Sequence, residues 1–213
     1  CIKFIPKISE KIEILGTYKS IKVVQPIGDN QASFLGSVRE KEKSLLLNYG
    51  TAGQISFFNN KYMNYRGFET RPLGNNEGYI HAAFSLCGGN SYKILARFYE
   101  DVFHLFSPDI NTNAMKYMDK MELDFSQENI KCMPFFLGQR GKNNGNAYFS
   151  NITEANFTPQ NMVASLIQGM VNELYDYYVE LPLEVKNRIS IIIGSGNGIR
   201  KNKHLIKAVE NTY

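Results

Sequence analysis

The segment from residue 189 to residue 202 constrains the fold of this chain more than any other stretch. An apolar, largely β-branched run at 189–193 is too short for a stable helix, and it leads into Gly194, Gly196 and Gly198. From Lys203 onward, apolar residues return at helical spacing. The pattern predicts a strand, a glycine-rich turn and a helix, which together form a unit of a layered α/β fold.

Such a turn is able to hold a nucleotide. Three glycines leave no Cβ atoms to keep a flat ligand away, and a helix start presents unpaired N–H groups and the positive end of its dipole. The same glycines also suit a turn that binds nothing. A dinucleotide fingerprint is disfavoured, because it needs a glycine where the chain has Ile199 and an acidic residue about twenty positions later, beyond Tyr213.

Composition narrows the classes of function. The 213 residues, 43% of them hydrophobic, are enough to bury a sizeable core. The formal charge of +4 is spread along the chain without a basic stripe, so we do not expect nucleic-acid binding. Cys1, Cys87 and Cys132 are odd in number and far apart, which argues against a disulfide framework and a zinc site and indicates a reducing compartment. No leader opens the chain and its apolar runs are too short to cross a bilayer, so we expect a cytoplasmic protein without membrane contact.

A second strand-to-helix turn carries a carboxylate. Residues 21–24 predict a short strand, Gly28 and Asp29 end it, and residues 31–35 predict a helix start. An Asp directly before a helix is most often its N-cap, which accepts a backbone N–H bond. Held rigidly in that place, the same carboxylate is also able to accept a proton from a substrate hydroxyl. The residues alone leave both roles of Asp29 open.

Residues 44–58 predict a β-hairpin. Two apolar strands flank residues 48–53, and the tip between them carries Gly50, Thr51 and Gly53. Such a tip is able to turn backbone N–H groups and the Thr51 hydroxyl toward phosphate oxygens. A plain hairpin turn is the commoner reason for glycine and threonine in such a place, so this segment alone does not decide between the two interpretations.

Further segments supply structural elements. We expect strands at 67–71, 79–84 and 147–149, and a helix after the glycine turn at 87–90. Thr158 and Pro159 predict the N-cap and first turn of the longest helix.

Several side chains in these segments are expected to be structural. His81 lies in an apolar strand and should be a core residue. It should not bind a metal, because His104 and His204 are not at metal-ligand spacing. The polar, glycine-rich loop at 138–146 should be exposed and mobile. Side chains that fall partly at helical intervals are expected to fill the core rather than contact a cofactor: Met115, Tyr117, Met118 and Met121.

Four segments in a fixed order resemble the carboxy-terminal half of the FGGY carbohydrate kinases, relatives of actin and hexokinase. They are GDNQA at 28–32, LNYGT at 47–51, AYFSNI at 147–152 followed by NMVAS and Gln168, and GSGNGIRKN at 194–202. The resemblance implies an α/β, ribonuclease H-like domain of the actin and hexokinase ATPase type, with a mixed sheet flanked by helices. The wording around residues 28–32 and 194–202, with ETRP at 69–72 and SLCGG at 85–89, is most similar to the sedoheptulokinase branch.

The resemblance also implies a role for individual residues. Asp29 matches the catalytic base that takes the proton from the primary hydroxyl of the sugar. ATP and Mg²⁺ are the implied cofactors, and no residue of this chain matches a metal ligand. The residues that match nucleotide contacts are Gly50 and Thr51 in a phosphate loop, Gly89 before a helix, and Gly196, Asn197, Gly198 and Asn202 in an adenosine motif.

The chain also departs from the family pattern. The resemblance covers residues 1–213 as a nucleotide-binding half, without the amino-terminal domain or the last strand and helix of the family, and Leu166 departs from the second signature. We therefore expect half of an ATP-dependent sugar kinase that binds ATP weakly and is inactive alone. A ketose, sedoheptulose, is the expected acceptor, while xylulose, gluconate or glycerol, and a non-catalytic actin-like module, are the alternatives. The missing domain is the expected partner, and a homodimer is left open.

Overall fold

The computed structural model describes residues 9, 11–125, 130–140 and 145–213. Its strands are β1 (Ile14–Tyr18), β2 (Ile21–Val24), β3 (Ser44–Tyr49), β4 (Gly53–Asn59), β5 (Glu69–Pro72), β6 (Tyr79–Ser85), β7 (Lys131–Met133), β8 (Tyr148–Ser150) and β9 (Ile191–Ser195). Its helices are α1 (Asp29–Ser37), α2 (Gly89–Phe106), α3 (Ala114–Met118), α4 (Pro159–Val179), α5 (Leu183–Arg188), α6 (Gly196–Lys201) and α7 (Lys203–Thr212).

A mixed five-stranded sheet forms the centre of the fold. Its strands lie in the order β5, β6, β4, β3, β9, with β3 parallel to β9 and each of the other neighbouring pairs antiparallel. The strands β3, β6 and β9 therefore point the same way. The register pairs Tyr49 with Gly53, Gly53 with Ser85 and Asn48 with Ser195, so their carboxyl ends meet at one edge of the sheet.

The sheet is covered on both faces. In β3 the side chains alternate, so that Leu45 and Leu47 belong to the larger core and Leu46 to the smaller one. The larger core is formed with apolar residues of α2, α4 and α7, and the smaller one with Phe34 and Val38 at α1. Burial on both faces explains why β3 has continuous apolar residues rather than an alternating pattern.

The long helix α4 is specified by its own sequence. Thr158 caps it by accepting the N–H of Asn161 at 3.2 Å, and Pro159 fits the first turn because that position needs no N–H donor. Gly169 lets the helix approach β7 closely, since a Cβ there would collide with the carbonyl oxygen of Cys132. None of the helices in the described ranges is long and apolar enough to span a membrane.

Most of the predicted elements are confirmed. The structure contains the strand at 21–24, the hairpin at 44–58, strands close to the predicted ones at 69–72, 79–85 and 148–150, and the helices after 88 and after Thr158. His81 is fully buried, as expected. Tyr117 is not a core residue, because 66% of its surface is exposed, whereas Met118 is fully buried.

Other parts of the chain differ from the prediction or stay untested. The glycine-rich segment at 194–198 turns the chain without a separate loop, because Gly194 belongs to β9 and Gly196, at φ +87°, leads directly into α6. The strand β1 and the helix α5 were not predicted. Cys1 and residues 141–144 of the loop at 138–146 lie outside the described residues, so the mobility of that loop stays a prediction.

Candidate functional site

A pocket of about 460 Å³ opens beside the edge of the sheet where β3, β6 and β9 end. Three separate segments line it: the tip of the β3–β4 hairpin, the start of α2, and the region of α6 and α7. Six of the seven residues that the sequence assigned to a nucleotide are among its lining residues: Gly50, Thr51, Gly89, Asn197, Gly198 and Asn202.

The hairpin tip and the start of α2 are joined by backbone hydrogen bonds. The N–H of Gly89 donates to the carbonyl of Gly50 at 2.9 Å, and the N–H of Asn90 donates to the carbonyl of Thr51 at 3.2 Å. Gly88 must be glycine here, because a Cβ would lie 2.6 Å from the carbonyl carbon of Ala52. The two loops therefore form one rigid wall, on which the Thr51 side chain is exposed.

The seventh residue, Gly196, lies behind the pocket rather than in its lining. Its φ of +87° and its position against β3 exclude a side chain, since a Cβ would lie 2.6 Å from the carbonyl oxygen of Tyr49. A Cβ at Gly198 would lie 2.7 Å from the same oxygen. Both glycines thus seat α6 against β3, and Gly198 also lines the pocket.

Asn202 caps the helix α7. Its Oδ1 atom accepts the N–H groups of His204 at 3.0 Å and Leu205 at 3.1 Å. The expectation of unpaired N–H groups at this helix start is therefore wrong for these two amides. At α6, by contrast, no side chain caps the first turn, and Asn197 and Gly198 of that turn line the pocket.

The remaining lining combines an apolar wall with charged groups. Tyr92 donates its hydroxyl hydrogen to Asp119 Oδ1 at 2.9 Å, and burial together with the charge of Asp119 raises the pKa of Tyr92. Lys93 and Lys201 are exposed at the rim. This arrangement suits a flat, partly apolar ligand with an anionic tail. The apolar wall consists of Met115, Ile167, Met170 and Leu205.

Sequence reasoning missed several of these residues. Met115 packs against the core, as expected, but it also lines the pocket. Tyr92 and Lys93 follow Gly89 within the first turns of α2, and Lys201 directly precedes Asn202, so their closeness to the motifs in sequence was the available signal. Asp119 follows α3, far from every motif, and had no such signal.

Asp29 lies outside this pocket, on the face of the sheet that α1 covers. It is the first residue of α1, whereas Gly28 holds the cap position without a side-chain bond, so the N-cap interpretation of Asp29 is wrong. Its carboxylate accepts hydrogen bonds from the Asn30 side chain at 3.2 Å and from the Asn30 N–H at 2.7 Å. These bonds, with a weaker contribution from Arg71, lower the pKa of Asp29 and keep the exposed carboxylate ionised.

One side chain relates Asp29 to the edge that carries the pocket. Arg71, whose charge acts on Asp29, stacks over the ring of Phe84 at 5.3 Å. Phe84 pairs with Gln54, the residue after Gly53 at the start of β4. Asp29 and the hairpin tip are thus connected through neighbouring strands.

The described part of the chain does not provide a metal site of its own. No group of three or more His, Cys, Asp or Glu side chains within residues 9, 11–125, 130–140 and 145–213 is arranged to hold a metal ion. Asp119, the carboxylate in the pocket, is hydrogen-bonded to Tyr92. The described residues therefore offer no cluster of side chains that would hold Mg²⁺ by itself.

Comparison with known proteins identifies the fold. No protein-family model and no curated protein matches the sequence. Among solved structures, xylulose kinase from Rhodospirillum rubrum superimposes with a TM-score of 0.74 and 16% identity over 94% of this chain and 41% of its own. Gluconate kinase from Lactobacillus acidophilus gives 0.70 and 18% over 91% and 38%. Plasmodium falciparum glycerol kinase with ADP gives 0.67 and 17% over 98% and 43%.

The fold is an α/β domain of the ribonuclease H-like type, with a mixed sheet flanked by helices, as the resemblance in sequence implied. The solved structures that it matches are sugar kinases of the FGGY type. At identities of 13–19% the likeness extends to the fold alone. The chain spans about two fifths of the length of the three structures described here.

Proposed function

We propose that this chain is the nucleotide-binding half of an ATP-dependent sugar kinase. The observation that carries the proposal is the pocket itself, because residues far apart in sequence, at 50–51, 89 and 197–202, line one cavity. The match to sugar-kinase structures supports the same conclusion. The cytoplasm is the proposed location, and the part of the fold that this chain lacks is the proposed partner.

The chemistry of the lining suggests how ATP is held. The adenine ring lies against the apolar wall of the pocket, while Asn197 and Asn202 contact the adenosine. The phosphates extend toward Gly50 and the Thr51 hydroxyl, which is exposed and able to donate a hydrogen bond. Mg²⁺ is the proposed counter-ion of the phosphates; held by them rather than by a cluster of side chains of this chain, it would neutralise phosphate charge. Lys93 and Lys201 add to the attraction of an anionic ligand.

Asp29 is the proposed general base. Its ionised carboxylate takes the proton from the primary hydroxyl of the sugar as that oxygen forms a bond to the γ-phosphorus. The bond between the γ-phosphorus and the β,γ-bridging oxygen breaks, and ADP leaves. Because Asp29 is exposed outside the nucleotide pocket, the sugar is proposed to lie between it and groups that this chain lacks.

The acceptor is proposed to be a ketose, with sedoheptulose as the first candidate. This finer proposal rests on the similarity of residues 28–32 and 194–202, with 69–72 and 85–89 between them, to the sedoheptulokinase branch. In the fold, Glu69 pairs with Arg71 at 2.7 Å and with Arg140 at 2.8 Å, and both guanidinium groups stack on Phe84. A panel of sedoheptulose, xylulose, gluconate and glycerol, tested with the intact protein, decides among these acceptors.

A tryptophan in the pocket tests the nucleotide site. Asn197 is exposed in α6 and lines the pocket, so Asn197→Trp should fill the cavity without disturbing the core. We expect ADP affinity, measured by calorimetry, to fall at least about tenfold, which corresponds to about 1.4 kcal/mol. Arg200→Trp, on the same helix but outside the lining, is the matched control. Equal ADP affinity in the two variants and the unmodified chain would refute the site.

A further inference from the structure

A buried acid on α4 lies close to the nucleotide pocket without lining it. Glu173 exposes only 6% of its surface. No Lys, Arg or His among the described residues forms an ion pair with it. Burial raises the pKa of Glu173, and the charge of Asp176 contributes in the same direction. A buried, unpaired acid costs stability, so a role other than packing is needed to explain it.

The carboxyl of Glu173 binds the turn between β6 and α2. Its Oε2 atom accepts the hydroxyl hydrogen of Ser85 at 2.5 Å, and the Ser85 oxygen in turn accepts the N–H of Cys87 at 2.8 Å. Burial, with the charge of Glu173 nearby, raises the pKa of the Cys87 thiol to about 12. One carboxyl therefore fixes the end of β6 and the two residues that follow it.

The same turn supports the tip of the β3–β4 hairpin. Gly88 packs on Ala52, and Gly89 donates its N–H to the carbonyl of Gly50 at 2.9 Å. A continuous series of contacts thus runs from α4 through the turn to the phosphate loop. By contrast, within the described part of the chain, the pocket-lining residues of α6 and α7 make no hydrogen bond to Glu173.

We propose that Glu173 is a positioning residue for the phosphate end of the nucleotide site. By holding residues 85–88, its carboxyl keeps Gly50, Thr51 and Gly89 in the arrangement that receives the phosphates. The inference rests on the proposed function and deepens it, because it separates the site into a phosphate end held by Glu173 and an adenosine end that does not depend on it. Loss of the hydrogen-bond acceptor at position 173 should lower the affinity for ADP and leave the affinity for adenosine nearly unchanged.

Calorimetry with ADP and with adenosine tests this proposal. We expect Glu173→Leu to weaken ADP about tenfold and adenosine less than about twofold, since one positioned hydrogen-bond network is lost. Glu173→Gln should retain most of the ADP affinity, because its amide oxygen still accepts the Ser85 hydroxyl. Glu180→Gln, at the exposed C-cap of the same helix, is the matched control and should change neither affinity.

A second variant covers the case in which Glu173→Leu does not fold. Ser85→Ala removes the hydroxyl that joins Glu173 to Cys87 and should produce the same selective loss of ADP affinity. Parallel losses for ADP and adenosine, or unchanged ADP affinity in the folded variant, would overturn the positioning role alone. An unmodified chain that binds neither ligand would instead refute the proposed function, and this inference with it.

Discussion

One neighbouring residue, Asn30, stabilises the charged form of the proposed base. The carboxylate of Asp29 is fully exposed, and Asn30 donates to it twice, from its side chain and from its backbone N–H. Hydrogen bonds to the ionised form lower the pKa of Asp29, so the group is a carboxylate at neutral pH. Asn30, the next residue in sequence, thus favours the ionised form of Asp29, which is the form able to accept a proton.

Substitution of Asp29 tests its role at this scale. We expect Asp29→Asn in the full-length protein to lower kcat for sugar phosphorylation by about 10²–10⁴-fold, because the amide is a poor proton acceptor. ADP affinity should be unchanged, since Asp29 does not line the pocket. Steady-state kinetics and calorimetry measure the two quantities. Asn30→Ala, which removes one hydrogen bond and keeps the carboxylate, is the control, and near-normal kcat in Asp29→Asn would contradict the assignment.

At the residue scale, two candidate residues have a backbone reason for their identity. Gly196 and Gly198 were singled out by the glycine run and by the resemblance, and in the structure a Cβ at either position would collide with the carbonyl of Tyr49. Their contact with a nucleotide stays a prediction. Asp119 was not recognisable, because it lies far from every motif in sequence and only the fold brings it to the pocket. Glu173 was missed because the helical pattern was identified from apolar residues alone.

At the scale of elements, the clearest signals came from capped or continuous segments. The helix α4 has its cap, its proline and a long apolar face in sequence, and it was predicted close to its observed start. The helix α5 has only 6 residues, too few to show a period. Both strands of the β1–β2 hairpin are exposed along their whole length, so no alternation between buried and exposed residues marked β1.

The cap of α7 allows stability and binding to be separated. Asn202→Ala removes the acceptor for two N–H groups and should lower the free energy of unfolding by about 1 kcal/mol. Asn202→Asp keeps the cap and adds a favourable charge at the helix start, so its stability should be retained. Urea unfolding measures both effects.

The two variants should differ from each other in nucleotide binding as well. Asn202→Asp places a negative charge in the lining of the pocket, and we expect its ADP affinity to fall although the helix stays capped. Equal unfolding free energies for Asn202→Ala and the unmodified chain would contradict the capping role. Full ADP affinity in Asn202→Asp would contradict a nucleotide close to this side chain.

On the scale of the whole molecule, two hydrophobic cores cover the two faces of one sheet. The nucleotide candidates lie beside the larger core, while Asp29 lies with α1 beside the smaller one. The fold class was predicted from the resemblance of four ordered motifs, of which those at 47–51 and 194–202 fall at the ends of the neighbouring strands β3 and β9. The separation of Asp29 from the pocket was not predictable, since spacing along the chain does not reveal which face of a sheet an element covers.

The burial of His81 predicts a loss of stability at acid pH. Burial, together with the nearby charge of Arg188, lowers the pKa of His81 to about 4 from 6.5. The unfolded chain takes up this proton near pH 6.5 and the folded chain only near pH 4, so stability is complete above this window and falls as the pH drops through it. Burial raises the pKa of Glu173, which acts in the opposite direction.

Unfolding by urea at pH 7 and pH 5 isolates the contribution of His81. At about 1.4 kcal/mol per pKa unit, we expect the unmodified chain to lose about 2 kcal/mol between these pH values on account of this residue. His81→Phe, which keeps an aromatic ring beside Phe57, should lose less over the same interval. Identical losses in the two proteins would show that the buried imidazole does not control acid unfolding.

The contact of α6 with Tyr49 has a consequence for the evolution of this architecture. Gly196 and Gly198 are required by the seating of a helix on a strand, whatever occupies the cavity in front of them. A related protein without a nucleotide site would still need both glycines, whereas Asn197, which is exposed and takes no part in this contact, would be free to vary. The residue at position 197 is therefore a better indicator of nucleotide binding among relatives than the two glycines.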